Sequence, residues 1–301
     1  MPALFQTHQI QGTAGTGPKL LITGGVHGDE YEGIEAIRKL IDTIDPRKLR
    51  GQLMLVPVVN ESAYESKART GEDGLDLART CPGKEDGTLT ERVAYELSQL
   101  IGKADFYIDL HSGGNIMQVD PLVGYSLVSD SSILDTQRRM ARAFGLPIIW
   151  GTSAELEGRS LSVARDAKVP AIYAEYLGAG NCSEVGFEAY VEGCLNVMAE
   201  LGMMDKRVPV HAPEIVIEDP RSQSGHMQIC HPSPAEGTFK SCVQLGQVVE
   251  EGQSMGVVTN QETFTSQTIQ ADHAGRVIVL RTATEVKEGD SLAVILESQV
   301  L

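Results

Sequence analysis

The residues with the most chemistry to offer in this 301-residue chain are two histidines and a glutamate. His27 and Glu30 stand three apart in Gly24-Gly25-Val26-His27-Gly28-Asp29-Glu30, and His111 stands in Asp109-Leu110-His111-Ser112-Gly113-Gly114. Zinc accepts both imidazole nitrogen and carboxylate oxygen, and two histidines with one carboxylate leave a fourth tetrahedral position open, as catalytic zinc sites do. A His-x-x-Glu pair alone is a weak motif, and the bland alternative is a pair of histidines hydrogen-bonded at strand ends. The second histidine, in the same kind of local setting, strengthens the signal.

The elements that must position these residues follow from apolar periodicity. Leu20-Leu21-Ile22 reads as a buried strand ending at the first glycine turn, and residues 31–44 have the 3.6-residue period of an amphipathic helix. Ala104 to Leu110 reads as a second buried strand that delivers His111. Strand carboxyl ends are where open α/β sheets build ligand sites, and glycine allows the tight turn needed there. Further strands are expected at 53–59, 122–128, 147–150 and 171–177. Helices are expected from a Thr88/Glu91 capping box through Leu100, and at 131–144, 159–168 and 183–202. This alternation predicts an α/β domain with a mixed, mostly parallel sheet flanked by helices. From Asn60 to Gly87 the chain is polar, too long for an ordinary connector, and carries Arg69, Asp76 and Arg79; loops of that length are usually functional.

After Gly202 the pattern changes. Residues 206–222 read as a linker holding an extended strand, and residues 223–301 as a small all-β domain of short runs separated by glycine turns, which leaves 1–205 as the catalytic unit. The net charge of −16 divides into −11 for residues 1–205 and −5 for the rest, so neither part is a basic docking surface and no nucleic-acid or membrane partner is expected. An anionic substrate must then be met by local arginines. Met1 to Gly12 lacks a signal-peptide pattern and no apolar run approaches the ~20 residues of a membrane span, which points to a cytoplasmic protein. The five cysteines form an odd set without Cys-x-x-Cys spacing and are expected to be reduced and mostly buried. Homo-oligomerisation is left open.

With these motifs in hand, the chain resembles the succinylglutamate desuccinylase and aspartoacylase family of zinc hydrolases, related in fold to the zinc carboxypeptidases. His27-Gly28-Asp29-Glu30 and Asp109-Leu110-His111-Ser112 carry the resemblance, which covers residues 20–200 well and the β domain more loosely. It implies a carboxypeptidase-like sheet and one Zn2+ per chain on His27, Glu30 and His111. It also implies a catalytic glutamate at Glu175, in Ala174-Glu175-Tyr176-Leu177-Gly178, and an arginine polarising the scissile carbonyl at Arg69. Arg79 falls in Asp76-Leu77-Ala78-Arg79-x-x-Pro82-Gly83, which looks like a segment that grips a substrate carboxylate; here Ala78 stands in place of an Asn and Cys81 in place of a Phe. The β domain looks like a biotinyl/lipoyl-type barrel. A carrier would need a lysine at its hairpin tip, but the alignment puts Phe264 there and no lysine occurs between 241 and 286, so no swinging arm is expected.

The activity implied is zinc-dependent hydrolysis of the amide bond of a small N-acyl amino-acid-like substrate. The alternatives are a carboxypeptidase-like peptidase on the same scaffold and, from a different class, an inactive metal-binding protein whose β domain is an interaction module. Asp109, two residues before His111, reads equally as an orienting partner for its imidazole or as a plain buried acid. Arg159 and Arg165 are candidates for a second carboxylate contact, with the plain surface-helix reading favoured, and Tyr125, Trp150, Tyr173 and Tyr176 read as core or sheet aromatics. His226 and His231 flank Cys230 without a further ligand at metal-site spacing.

Overall fold

A computed structural model describes residues 4–205 and 211–297, so residues 206–210 of the expected linker lie outside the described residues. The first part of the chain runs β1 (His8–Gln11), β2 (Lys19–Thr23), α1 (Tyr31–Thr43), β3 (Gln52–Val56), α2 (Glu61–Ser66), α3 (Leu89–Ile101) and β4 (Phe106–His111). It continues with β5 (Met117–Leu127), α4 (Ser131–Phe144), β6 (Ile148–Ser153), α5 (Ser160–Asp166), β7 (Ala171–Gly178), α6 (Glu184–Glu200) and β8 (Ile215–Glu218).

β2, β4 and β7 are near-continuous apolar runs because helices cover both faces of their sheet. Side chains alternate between the faces along a strand. Leu20 and Ile22 therefore join α1, α4 and α6 in one core with Leu40, Phe144 and Tyr190. Leu21 joins α3 and α5 in a second core with Val93, Leu97 and Ala164. Strands β3-β2-β4-β7 are parallel, β1 lies antiparallel on β3, and β5 lies antiparallel on β7. β6 and β8 then run parallel to β5. The expected mixed, mostly parallel sheet is the one observed.

The sheet forks at β5. Residues 117–119 of β5 pair with β13 (Gly275–Arg281), and residues 122–127 pair with β6. Pro121 sits at the change of partner, where the register against β7 also shifts, because proline has no N–H to give a ladder. Through β13 the C-terminal strands β10 (Val248–Val249) and β15 (Ala293–Glu297) continue the large sheet. β9 (Gly237–Ser241), β11 (Ser254–Thr259), β12 (Ser266–Gln270) and β14 (Glu285–Val286) form a second, antiparallel sheet. The two enclose a core that includes Phe239, Met255, Val277 and Leu292.

Some expectations need correction. The strand expected over 53–59 stops at Val56, since the Pro57 ring cannot extend the ladder. The polar stretch from Asn60 is not all loop: Asn60 Oδ1 accepts from Ala63 N (3.2 Å) and caps α2. Of the five cysteines only Cys81 and Cys194 are buried, while Cys182 and Cys242 lie exposed in loop or turn settings, so the thiols are not mostly buried. Among the described residues no helix is long and apolar enough to cross a membrane.

Candidate metal centre and active site

β2 ends at Thr23 and the chain turns through Gly24 to Glu30 before α1 begins. Gly28 is required by close approach: its N–H donates to Ala68 O (3.0 Å), and a Cβ there would lie 1.9 Å from the Ala63 carbonyl carbon. Glu30 is the N-cap residue of α1, yet its side chain does not cap the helix. Its carboxylate instead spans two imidazoles, with Oε1 2.6 Å from His27 Nδ1 and Oε2 2.9 Å from His111 Nδ1, while Ser112 N donates to Oε2 (3.2 Å).

The far nitrogen of each imidazole also meets a carboxylate. His27 Nε2 lies 3.0 Å from Asp76 Oδ1, and His111 Nε2 lies 3.1 Å from Asp109 Oδ2. Asp109 is fully buried, accepts from Thr23 Oγ1 (2.7 Å) and from the Ser160 hydroxyl, and lies beside Thr23 in the β2–β4 ladder. Carboxylates and imidazoles thus alternate: Asp76, His27, Glu30, His111, Asp109. Ionised carboxylates only accept, and a neutral imidazole carries one N–H. A carboxylate set between two Nδ1 atoms calls for positive charge there, supplied either by an imidazolium N–H or by a bound cation.

The electrostatics agree. Burial opposes the Glu30 charge, but His27 and His111 hold its carboxyl well below the usual range. Burial likewise opposes the charge of Asp76, which His27 and Arg69 keep ionised. Against its own burial, the His111 imidazole is pushed up by Asp109 and Glu30. The donor atoms of His27, Glu30 and His111 lie within 4.8 Å of one another, the one such group among the described residues. Two imidazole nitrogens and a carboxylate oxygen, with the outer nitrogens anchored by acids, fit a zinc ion in chemistry and in outer-sphere support.

The other expected residues gather around one cavity with this cluster. Arg69 Nε donates to Asp76 Oδ2 (3.1 Å), and its Nη1 is 3.8 Å from Glu30 Oε1. Glu175 is the ladder partner of His111 across β4 and β7; it is 8% exposed, and its Oε2 has no partner. Burial, reinforced by Glu30 and Asp109, raises its carboxyl above the ordinary range despite His111 and Arg69. Arg79 donates to Ala78 O (2.6 Å) and otherwise faces the cavity, where burial and then the neighbouring Arg159 draw it down to about 10.

Several residues here were missed or misread in the sequence. Asp76 sits in the segment matched to substrate recognition, yet it also holds His27; nothing in a spacing of 49 residues signals that contact. Arg159 is not a plain surface residue but lines the cavity, because it stands at the N-cap of α5, just where the chain turns inward. Arg165 does take the bland role, paired with Glu157 and Asp166. Tyr173 also lines the cavity, its ring packed where a Cβ on Gly124 would fall 2.2 Å from it. Gly225, Met227 and Val279 complete the wall from beyond the α/β elements.

An α/β sheet with a His/Glu/His cluster that could hold a metal, a buried carboxylate and three cavity-lining arginines at its strand ends is the arrangement of a hydrolase. The chain belongs to the succinylglutamate desuccinylase/aspartoacylase family, whose catalytic-domain signature matches residues 16–201. It is 32% identical over 295 residues to the N-alpha-acetyl-L-2,4-diaminobutyric acid deacetylase of Halomonas elongata, covering 94% of this chain and 83% of that protein. Among solved structures it is similar to a succinylglutamate desuccinylase from Silicibacter sp. TM1040, with 26% identity, a TM-score of 0.87 and coverage of 97% and 88% of the two chains. It is equally similar to the product-bound ectoine utilization protein EutE (DoeB) from Ruegeria pomeroyi, with 26% identity, a TM-score of 0.87 and coverage of 96% and 87%.

Proposed function

We propose that this protein is a zinc-dependent deacylase that hydrolyses the amide bond of a small N-acylated amino acid, with N-acetyl diamino acids of the kind named for the Halomonas relative as first candidates. The observation that carries the reading is the Glu30 carboxylate set between the Nδ1 atoms of His27 and His111, each imidazole anchored at Nε2 by an acid. His27, Glu30 and His111 would hold the ion, which would supply Lewis acidity toward water and the scissile carbonyl.

The protein's own groups do the rest. Glu175, buried and short of partners, takes a proton from the attacking water and passes it to the departing nitrogen as the C–N bond breaks, leaving a carboxylate and a free amine. Its raised proton affinity suits both halves of that transfer. Arg69, anchored on Asp76, turns donors toward the oxyanion that develops on the acyl carbonyl. Arg79 and Arg159 are two half-buried like charges lining one cavity, and a substrate carboxylate relieves their repulsion while taking charge-assisted hydrogen bonds. Tyr173, Met117, Val119 and Val279 shape the apolar remainder and exclude water.

The test is zinc content together with release of carboxylate and amine from a panel of N-acyl amino acids and short peptides, before and after chelation. Turnover of N-acyl amino acids that is lost on chelation and restored by zinc is expected. Absence of zinc binding and of any hydrolysis would sink the deacylase reading, and preference for peptides would favour the carboxypeptidase-like alternative.

A further inference from the structure

One side of the cavity is apolar. Met117 and Val119 of β5, Tyr173 of β7, Val279 of β13 and Met227 line it and belong to a single apolar cluster. Val119 and Val279 are buried ladder partners, so this part of the wall is built into the sheet. Met117 and Met227 are its unbranched, adaptable members. The wall stands beside the arginines, since Arg159 Nη1 donates to Gly225 O (3.4 Å), two residues before Met227.

Charge on the lining is one-sided. Arg69, Arg79 and Arg159 share it with two acids among the described residues, Glu30 and Glu175. Glu30 is taken by the two imidazoles, and Glu175 is the proton carrier of the proposed reaction. Asp76, next to the cavity, is taken by Arg69 (3.0 Å) and by His27 (3.0 Å). Residues 1–3, 206–210 and 298–301, which lie outside the described ones, contain no aspartate or glutamate, so no further acid can come from them. A substrate side chain ending in an ammonium group, charged at pH 7, would meet guanidinium groups and apolar side chains without a counter-ion, and burying an unpaired charge is costly. A side-chain carboxylate fares no better on this wall, because Arg69 is already paired and Arg79 and Arg159 share the carboxylate on the adjacent carbon.

We infer that the substrate side chain is uncharged and aliphatic, packed on Met117, Val119, Tyr173, Met227 and Val279 while Arg79 and Arg159 hold the carboxylate. The inference rests on the deacylase reading above and narrows it, ranking diamino acids below their aliphatic isosteres. Met227 and Val279 lie beyond the residues matched by the family signature, so the C-terminal part of the chain sets this preference.

The experiment compares N-acetylnorvaline, Nα-acetyl-2,4-diaminobutyrate and N-acetylaspartate as substrates of the zinc-loaded protein at pH 7. The first two differ only in a terminal methyl against an ammonium group. kcat/KM should be about 100-fold higher for the norvaline compound than for either charged one, the effect of leaving a charge unpartnered. Met227→Glu places an acid on a half-buried member of the wall. It should lower turnover of the norvaline compound and raise that of the diamino compound, each about tenfold. A wild-type preference below about tenfold, a preference for a charged substrate, or a preference that Met227→Glu leaves unchanged in folded protein would overturn the inference while leaving the deacylase reading intact. If wild type hydrolyses nothing, the deacylase reading fails, and calorimetric binding of free norvaline and free 2,4-diaminobutyrate decides the rest: tighter binding of norvaline supports the apolar subsite, and equal, reversed or absent binding overturns it.

Discussion

Asp109 and His111 lie two residues apart on one strand and on the same face of the sheet, with Asp109 Oδ2 3.1 Å from His111 Nε2. Two-residue periodicity allows the contact, and the fully buried Asp109 fixes which imidazole nitrogen is free to face Glu30. Asp109→Asn keeps the size and a carbonyl acceptor but removes the charge. Zinc affinity, measured by competition with a chromogenic chelator, should fall about 10- to 100-fold; unchanged affinity would show that Asp109 only fills space.

The role proposed for Glu175 separates from that proposed for the metal-binding cluster. Glu175→Gln preserves shape at a buried site while removing the titrating group, so kcat should drop by about two to four orders of magnitude with zinc content unchanged. Retained turnover would require another base.

Arg79 and Arg159 come from segments 80 residues apart in sequence and reach one cavity. Arg79→Ala and Arg159→Ala should each raise KM about 10- to 100-fold for substrates bearing a carboxylate, the loss of a charge-assisted hydrogen bond. Because each replacement also relieves the repulsion felt by its neighbour, the double variant should be less impaired than the product of the single effects. Multiplicative losses would place the two guanidinium groups on different parts of the substrate.

Glu218 on β8 accepts from Arg138 Nε and Nη2 (2.7 Å each) and from Tyr125 OH (2.7 Å), tying the strand within the expected linker to α4 and β5. Arg138 first, then Tyr125 against the effect of burial, hold its carboxyl below the ordinary value of 4.5. A carboxylate with a lowered folded pKa stabilises above its unfolded value, and the benefit is lost as pH falls through the folded one. Thermal melts of wild type and Glu218→Gln should therefore differ at pH 7 and converge in acid. A constant difference across pH would mean the variant acts through packing.

Much of the fold was legible because burial on two faces leaves a local mark. The apolar runs of β2, β4 and β7 and the periodic helices α1, α4 and α6 all stand near their expected places. Strand limits set by proline were less legible: Pro57 shortens β3, and Pro121 marks where β5 changes partner, an event that depends on strands far away in sequence. The cavity lining beyond the matched motifs was hidden for the same reason. Arg159 has the composition of a surface-helix residue, and only the inward turn before α5 takes it into the cavity.

By itself the sequence determined the residue types of a cluster that could hold a metal, their order at strand ends, and the glycine at 28 that the turn demands, because these are local matters of ligand chemistry, periodicity and backbone space. Tertiary structure alone decided that Asp76 closes on His27, that Arg159 joins Arg79, and that Gly225, Met227 and Val279 wall the cavity. Those contacts depend on sheet order and on the fork at β5, and no spacing along the chain encodes a distance across the fold.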